Sequence, residues 1–285
     1  MSVLRYPGGK QKAIKILSTF LPAGIKEICA PFVGGGSFEL FCCSTLNIKV
    51  YAYDNFEPLI NFWKCLKANA KELITSVRTN LPMTKEKFYE MRNHVEKKDL
   101  EETESTAIIR ASNFFCINRC SFSGTTLSGG YSKESALKRF TISSIEKLCS
   151  LHLENITFEC KDFEESVKAH PGMFLFMDPP YALEKQKNNL YGTKGNKHKG
   201  FDHERLHRIL IEGGSNWMMC YNDCETIQNL YSSDAYARNN CITIHSVSWS
   251  YSMSKNKKSN EVVIVKQKQL EVETNHKRKI EEISE

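Results

Sequence analysis

The 285-residue chain has no run of about 18 apolar residues, the length a membrane-spanning helix requires. Its first residues, Met1-Ser2-Val3-Leu4-Arg5-Tyr6, meet a Pro-Gly-Gly turn at once and do not read as a secretion signal. No Gly-Lys-Ser/Thr follows either glycine cluster, and G-x-G-x-x-G is absent, so neither a phosphate loop nor the standard dinucleotide fingerprint is present. Internal repeats are missing too. Metal-binding spacing is also lacking. The Cys116/Cys120 and Cys220/Cys224 pairs lie too far apart for a compact zinc knuckle, and no metal is expected.

The 11 cysteines form an odd set, several of them (Cys42, Cys43, Cys65, Cys116, Cys149) in apolar company. They read as reduced thiols in an intracellular reducing compartment, whether cytoplasm, nucleus or viral factory. A hydrophobic content of 41% and a charged content of 25% fit a globular chain with one large domain, or a core carrying a modest insertion. The excess of 39 Lys and Arg over 33 Asp and Glu gives +6. That balance suits a polyanionic partner and equally suits a plain solvated surface.

Along the chain, 11–21 has helical spacing ended by Pro22, and Glu27–Ala30 leads into Pro31-Phe32-Val33-Gly34-Gly35-Gly36. A helix is expected over 37–44, a strand over 47–53 ending at Asp54, and a helix over 57–73. Strand, glycine turn, helix, strand ending in an acid, helix is the grammar of a doubly wound α/β sheet. Residues 76–150 change character, with helices near 84–98 and 105–117 and a Ser/Thr/Gly-rich loop over 118–133. The α/β pattern resumes with strands at 155–160 and 174–177, a helix from His203 capped by Asp202, and late strands at 217–221 and 261–265. Residues 185–199 read as a loop and 266–285 as a charged, frayed tail.

Two features invite chemistry. Glycines at a strand-to-helix join let backbone N–H groups and the positive helix end approach a ligand. Asp54, eighteen residues beyond Gly36, stands where a Rossmann-type site puts a ribose-binding carboxylate. The apolar run Phe174–Met177 ends in Asp178-Pro179-Pro180-Tyr181, where the prolines stop ladder pairing.

Tyr6-Pro7-Gly8-Gly9-Lys10, Pro31–Gly36 and Asp178-Pro179-Pro180-Tyr181, in that order, resemble the Dam-type adenine-specific DNA methyltransferases. The segments 118–124, 198–206, 220–231 and 255–265 are similar as well, so the likeness spans residues 4–265. It implies a Rossmann-like SAM-dependent core over 1–75 and 151–265, with a target-recognition insert over 76–150. It also implies methyl transfer from S-adenosylmethionine (SAM) to adenine N6 in duplex DNA, leaving S-adenosylhomocysteine; GATC is a guess for the site.

In this resemblance Asp178 and the Pro179 carbonyl accept the two amine hydrogens of a flipped adenine, Pro180 stiffens the turn, and Tyr181 stacks on the base. Tyr6 and Lys10 attend the methionine end of the cofactor, Phe32, Gly34 and Gly36 its backbone, and Asp54 the ribose. Asp162, Phe163 and Asp178 complete the cofactor contacts. Asn118, Arg119, Ser121 and Ser123 are candidate DNA contacts, with Lys255, Lys257 and Lys258 for phosphates. The implied partners are double-stranded DNA and a cognate restriction endonuclease, with no membrane, and the chain acting as a monomer or weak dimer. Two alternatives stay open: cytosine-N4 transfer, which usually shows Ser in place of Asp178, and an idle DNA-binding module on the same fold. Cytosine-C5 chemistry is excluded by the lack of a Pro-Cys dipeptide.

Overall fold

A computed structural model describes residues 2–97, 103–182, 200–232, 237, 239–249 and 260–267. The elements in chain order are α1 (Ile14–Leu17), β1 (Glu27–Ala30), α2 (Ser37–Ser44), β2 (Lys49–Asp54), α3 (Glu57–Ala68), α4 (Ala70–Arg78), α5 (Lys85–Glu96) and α6 (Glu104–Cys120). There follow α7 (Lys133–Arg139), α8 (Ile142–Glu146), β3 (Ile156–Cys160), α9 (Phe163–Ala169), β4 (Phe174–Met177), α10 (His203–Glu212), β5 (Trp217–Asn222), α11 (Glu225–Tyr231), β6 (Ile242–Val247) and β7 (Glu261–Lys266).

The strands form one seven-stranded sheet in the order β3-β2-β1-β4-β5-β7-β6. It is parallel from β3 to β5, while β7 runs antiparallel to both β5 and β6. This is the Rossmann-like α/β sheet expected for the chain. The strand order turns around at β1, which pairs with β2 on one side and β4 on the other. Ligands of open α/β sheets bind outside the carboxyl ends at such a switch point. The glycine turn leaves β1 there, and Asp178 leaves β4 beside it.

Alternation along each strand feeds two cores. Phe174, Phe176, Met218, Cys220, Val263 and Val265 face the larger core, and Leu175, Met177, Trp217, Met219, Val262 and Ile264 the smaller. The larger core continues without a break into the helices of 76–150. Phe62 of α3 stacks on Phe115 of α6 at 5.8 Å, and Trp63 stacks on Phe158 of β3 at 5.3 Å. These helices are therefore packed on the sheet through shared aromatic rings.

Several expectations are corrected. The helix over 57–73 breaks at Asn69, which has left helical geometry (φ −133°, ψ 46°) and whose amide donates to Glu104 Oε1. The stretch from Lys10 to Phe20 alternates 3-10 turns with the single turn of α1. The segment 118–133 is not one loop: α6 continues through Cys120, two 3-10 turns follow, and Ser121 bridges Tyr131. β7 extends into the supposed tail. Lys266 is buried, and its Nζ donates to the carbonyls of Leu210 and Ile211 at 3.3 and 3.4 Å, a cation at the C-terminal turn of α10. The expected loop over 185–199, Lys255, Lys257, Lys258 and residues 268–285 lie outside the described residues.

Candidate active site

Tyr6-Pro7-Gly8-Gly9 is a turn closed by the Gly9 N–H on the Tyr6 carbonyl at 3.1 Å, with Gly8 at φ +75°. Proline at the second position and a glycine of positive φ at the third are the residues a type II turn asks for. The turn delivers Lys10 to the switch point. Its Nζ lies 2.6 and 2.8 Å from the two oxygens of Asp178 and donates to the Gly8 carbonyl at 2.8 Å. The lysine side chain is 3% exposed and that of Asp178 22%. Burial pulls the Lys10 ammonium down, but the adjoining carboxylate outweighs it and leaves Lys10 above its ordinary value. Two motifs 168 residues apart thus meet in one ion pair.

The segment after β4 is pinned further along. The Pro179 carbonyl, on a buried residue, has no hydrogen-bond donor among the described residues. The Tyr181 hydroxyl donates to Glu261 Oε2 at 2.5 Å, and Lys10 Nζ stands 5.0 Å from the centre of the Tyr181 ring. Asn222 Nδ2 donates to the Ala182 carbonyl at 2.8 Å.

On the other side of β1, Gly34 and Gly36 adopt φ +47° and +65°, which side-chain-bearing residues rarely do. A Cβ on Gly35 would lie 2.8 Å from Tyr6 Cβ, and one on Gly36 3.3 Å from Trp63 Cζ2. The protein's own close packing thus already asks for glycine here. Asp54 is held over this turn, its Oδ2 accepting the Gly34 N–H at 3.2 Å and its Oδ1 the Phe56 N–H at 3.0 Å. Phe32 stacks on Phe163 at 5.6 Å. Asp162 caps α9 through Oδ1, which also takes Arg205 Nη2 at 2.6 Å.

Sequence reasoning missed Glu39. It lies in the first turn of α2, 2% exposed, within electrostatic reach of Asp178 and Lys10. Burial pushes its carboxyl up to about 8, against the pull of the Glu39 and Phe38 backbone N–H groups. An acid inside an otherwise apolar helical run, SFELF, was the available signal.

The loop after α6 divides its expected DNA contacts. Asn118 is 0% exposed: its Oδ1 accepts the Arg5 N–H at 2.8 Å, and its Nδ2 donates to the Arg5 carbonyl at 2.7 Å and Thr126 Oγ1 at 2.9 Å. Ser121 is also buried, its Oγ accepting the Thr126 N–H at 3.0 Å. Both belong to the loop's internal frame, because buried polar groups must be paired there. This corrects their assignment as groups that reach base edges. Ser123 is half-buried at φ +51°, and Arg119 donates to the carbonyls of Arg139 and Val3. Arg5, Arg119 and Arg139 gather here, and burial together with its two arginine neighbours pushes the Arg119 guanidinium down to about 10. Beside them Phe122 is 69% exposed.

Residues 6–253 match the family model for D12 class N6 adenine-specific DNA methyltransferases. No curated protein matches the chain.

Proposed function

The chain belongs to the D12 class of N6 adenine-specific DNA methyltransferases, and from that premise we propose a role for each group in the site. The enzyme methylates adenine N6, which sets aside the cytosine-N4 alternative and the idle module. In our reading the donor is SAM, which when bound supplies a methyl group on a positively charged sulfur. Asp54 accepts the ribose hydroxyls, Tyr6 and Lys10 attend the methionine end, and Phe32, Gly34 and Gly36 border the cofactor's backbone. An ammonium has three hydrogens. The Gly8 carbonyl and both Asp178 oxygens already surround Lys10 Nζ, so Lys10 faces the cofactor's carboxylate as a charge. Phe163 supplies an apolar wall and the Asp162 carboxylate an acceptor for the adenine ring. The donor set matches the group it would hold: acid for hydroxyls, cation for carboxylate, ring for ring.

The target adenine leaves the duplex and enters between these groups. Its amine is a poor nucleophile because the lone pair is delocalised into the ring. Asp178 takes one N–H and the Pro179 carbonyl the other, drawing the nitrogen toward tetrahedral geometry, while Tyr181 stacks on the base. Once the nitrogen carries a positive charge, its proton is acidic and passes to Asp178 or water. The single observation that carries this reading is the Lys10–Asp178 contact at 2.6 Å, which unites the N-terminal turn with the acid at the end of β4.

The test is a transfer reaction with methyl-labelled SAM and plasmid DNA, the methylated positions being read by sequencing. Label in adenines of one short motif, GATC being the first candidate, is expected; label on cytosine, or on nothing, overturns the reading. An endonuclease cutting that same unmodified motif would be the matching partner, and one protein chain per site suffices. Arg5, Arg119 and Arg139 suit phosphates, and Phe122 is an apolar wedge for a base step. Phe122→Ala is expected to weaken duplex binding by about 1–3 kcal/mol, the worth of one stacked contact. SAM binding, measured by calorimetry, should not change.

A further inference from the structure

Glu261 opens β7, a strand whose remaining residues up to Val265 are apolar, and it is 2% exposed. A buried carboxylate costs several kcal/mol of desolvation, and strand pairing gains nothing from an acid there. Its position has a specific outcome. Oε2 receives the Tyr181 hydroxyl hydrogen at 2.5 Å, across 80 residues of sequence. In the ladder Glu261 pairs with Asn222, and Asn222 Nδ2 holds the Ala182 carbonyl at 2.8 Å. One rung of the β5–β7 pair therefore fixes both the tip of the Tyr181 ring and the backbone just beyond it. Tyr221, one residue before Asn222, stands 6.0 Å from the same ring, with its own hydroxyl bonded to His203 Nδ1 at 2.7 Å.

We propose that Glu261 is a positioning residue for methyl transfer, holding the plane of the Tyr181 ring through the phenolic hydrogen bond so that the target base stacks in register with Asp178. This rests on the reading of Tyr181 as the base-stacking wall. A ring hinged only at its Cβ can tilt, whereas one fixed also at its hydroxyl cannot. Reacting groups must be held within roughly 0.5 Å and 10–20° of the productive geometry. Glu261 also lies within electrostatic reach of Lys10 and Asp178. A role through those charges predicts a different result.

The experiment is a double-mutant cycle on single-turnover transfer, with Glu261→Ala and Tyr181→Phe made singly and together. Glu261→Ala is expected to slow transfer about tenfold or more, the worth of a hydrogen bond to a charged acceptor. In the Tyr181→Phe background the same change should cost less than about twofold, because the bond is already gone. Glu261→Gln, which can still accept the phenolic hydrogen, should recover most of the rate and guards against misfolding of the alanine variant. Equal losses in both backgrounds overturn the proposal, and so does wild-type turnover in Glu261→Ala. A second readout stands apart from activity: the ¹⁹F signal of fluorotyrosine placed at 181 should shift in Glu261→Gln. A wild-type protein that transfers no label would sink the reading of the site, while the fluorine signal would still report on the contact.

Discussion

Asp178→Ala is expected to lower methyl transfer by about 10²–10³-fold, the usual cost of deleting one preorganised group at the reacting centre. The substitution has a second consequence. Lys10, 3% exposed, loses the carboxylate that lies 2.6 Å away. An uncompensated buried cation is costly, and breaking a buried pair destabilises by about 3–5 kcal/mol. The alanine variant should melt well below the wild type, so lost activity alone would be ambiguous. Asp178→Asn separates the effects: it keeps the volume and an oxygen facing Lys10 but presents a far weaker acceptor to the amine. It should remain folded by circular dichroism and still lose most of the transfer rate. Turnover within tenfold of wild type in a folded Asp178→Ala protein would contradict the role given to this carboxylate.

The other large effect concerns Glu39 and pH. Its carboxyl sits at about 8 in the folded protein, and burial is the main cause. An exposed glutamate in the unfolded chain titrates near 4.3. Between these values the folded state holds a proton that the unfolded state has released, so stability falls as pH rises. The stabilisation is complete below the unfolded value and is lost on passing through the folded one. From pH 5 to pH 8 the loss from this group is about 3–4 kcal/mol. Glu39→Gln should remove that slope and leave the protein several kcal/mol more stable at pH 8 than the wild type. Parallel urea unfolding curves for both proteins across this range, with the difference independent of pH, would show that the carboxyl does not titrate as described.

Much of this was readable from the order of residues. β1, α2, β2 and β4 were legible because short apolar runs bounded by glycine, proline or an acid are local signals. The cap at Asp202 was legible too, its Oδ1 accepting the Arg205 N–H at 2.8 Å. β6 was missed. As an edge strand it buries little of its length, so its sequence shows no clean alternation, and its pairing depends on β7. The break at Asn69 was missed because no proline marks it. Asn118 and Ser121 were misread because polar side chains in a Ser/Thr/Gly-rich stretch look alike whether they face solvent or frame the loop.

By itself the sequence determined the chemical vocabulary: an acid held by prolines at the end of a strand, a glycine turn, and a second acid one strand further on. Those follow from local backbone restrictions, which neighbours in the chain settle among themselves. Which groups touch was decided only by tertiary structure. Lys10 on Asp178, Glu261 on Tyr181 and Glu39 in the interior depend on strand pairings and crossovers that join residues far apart in sequence. Burial then sets the charge of Glu39, because the cost of removing a charge from water depends on everything around it.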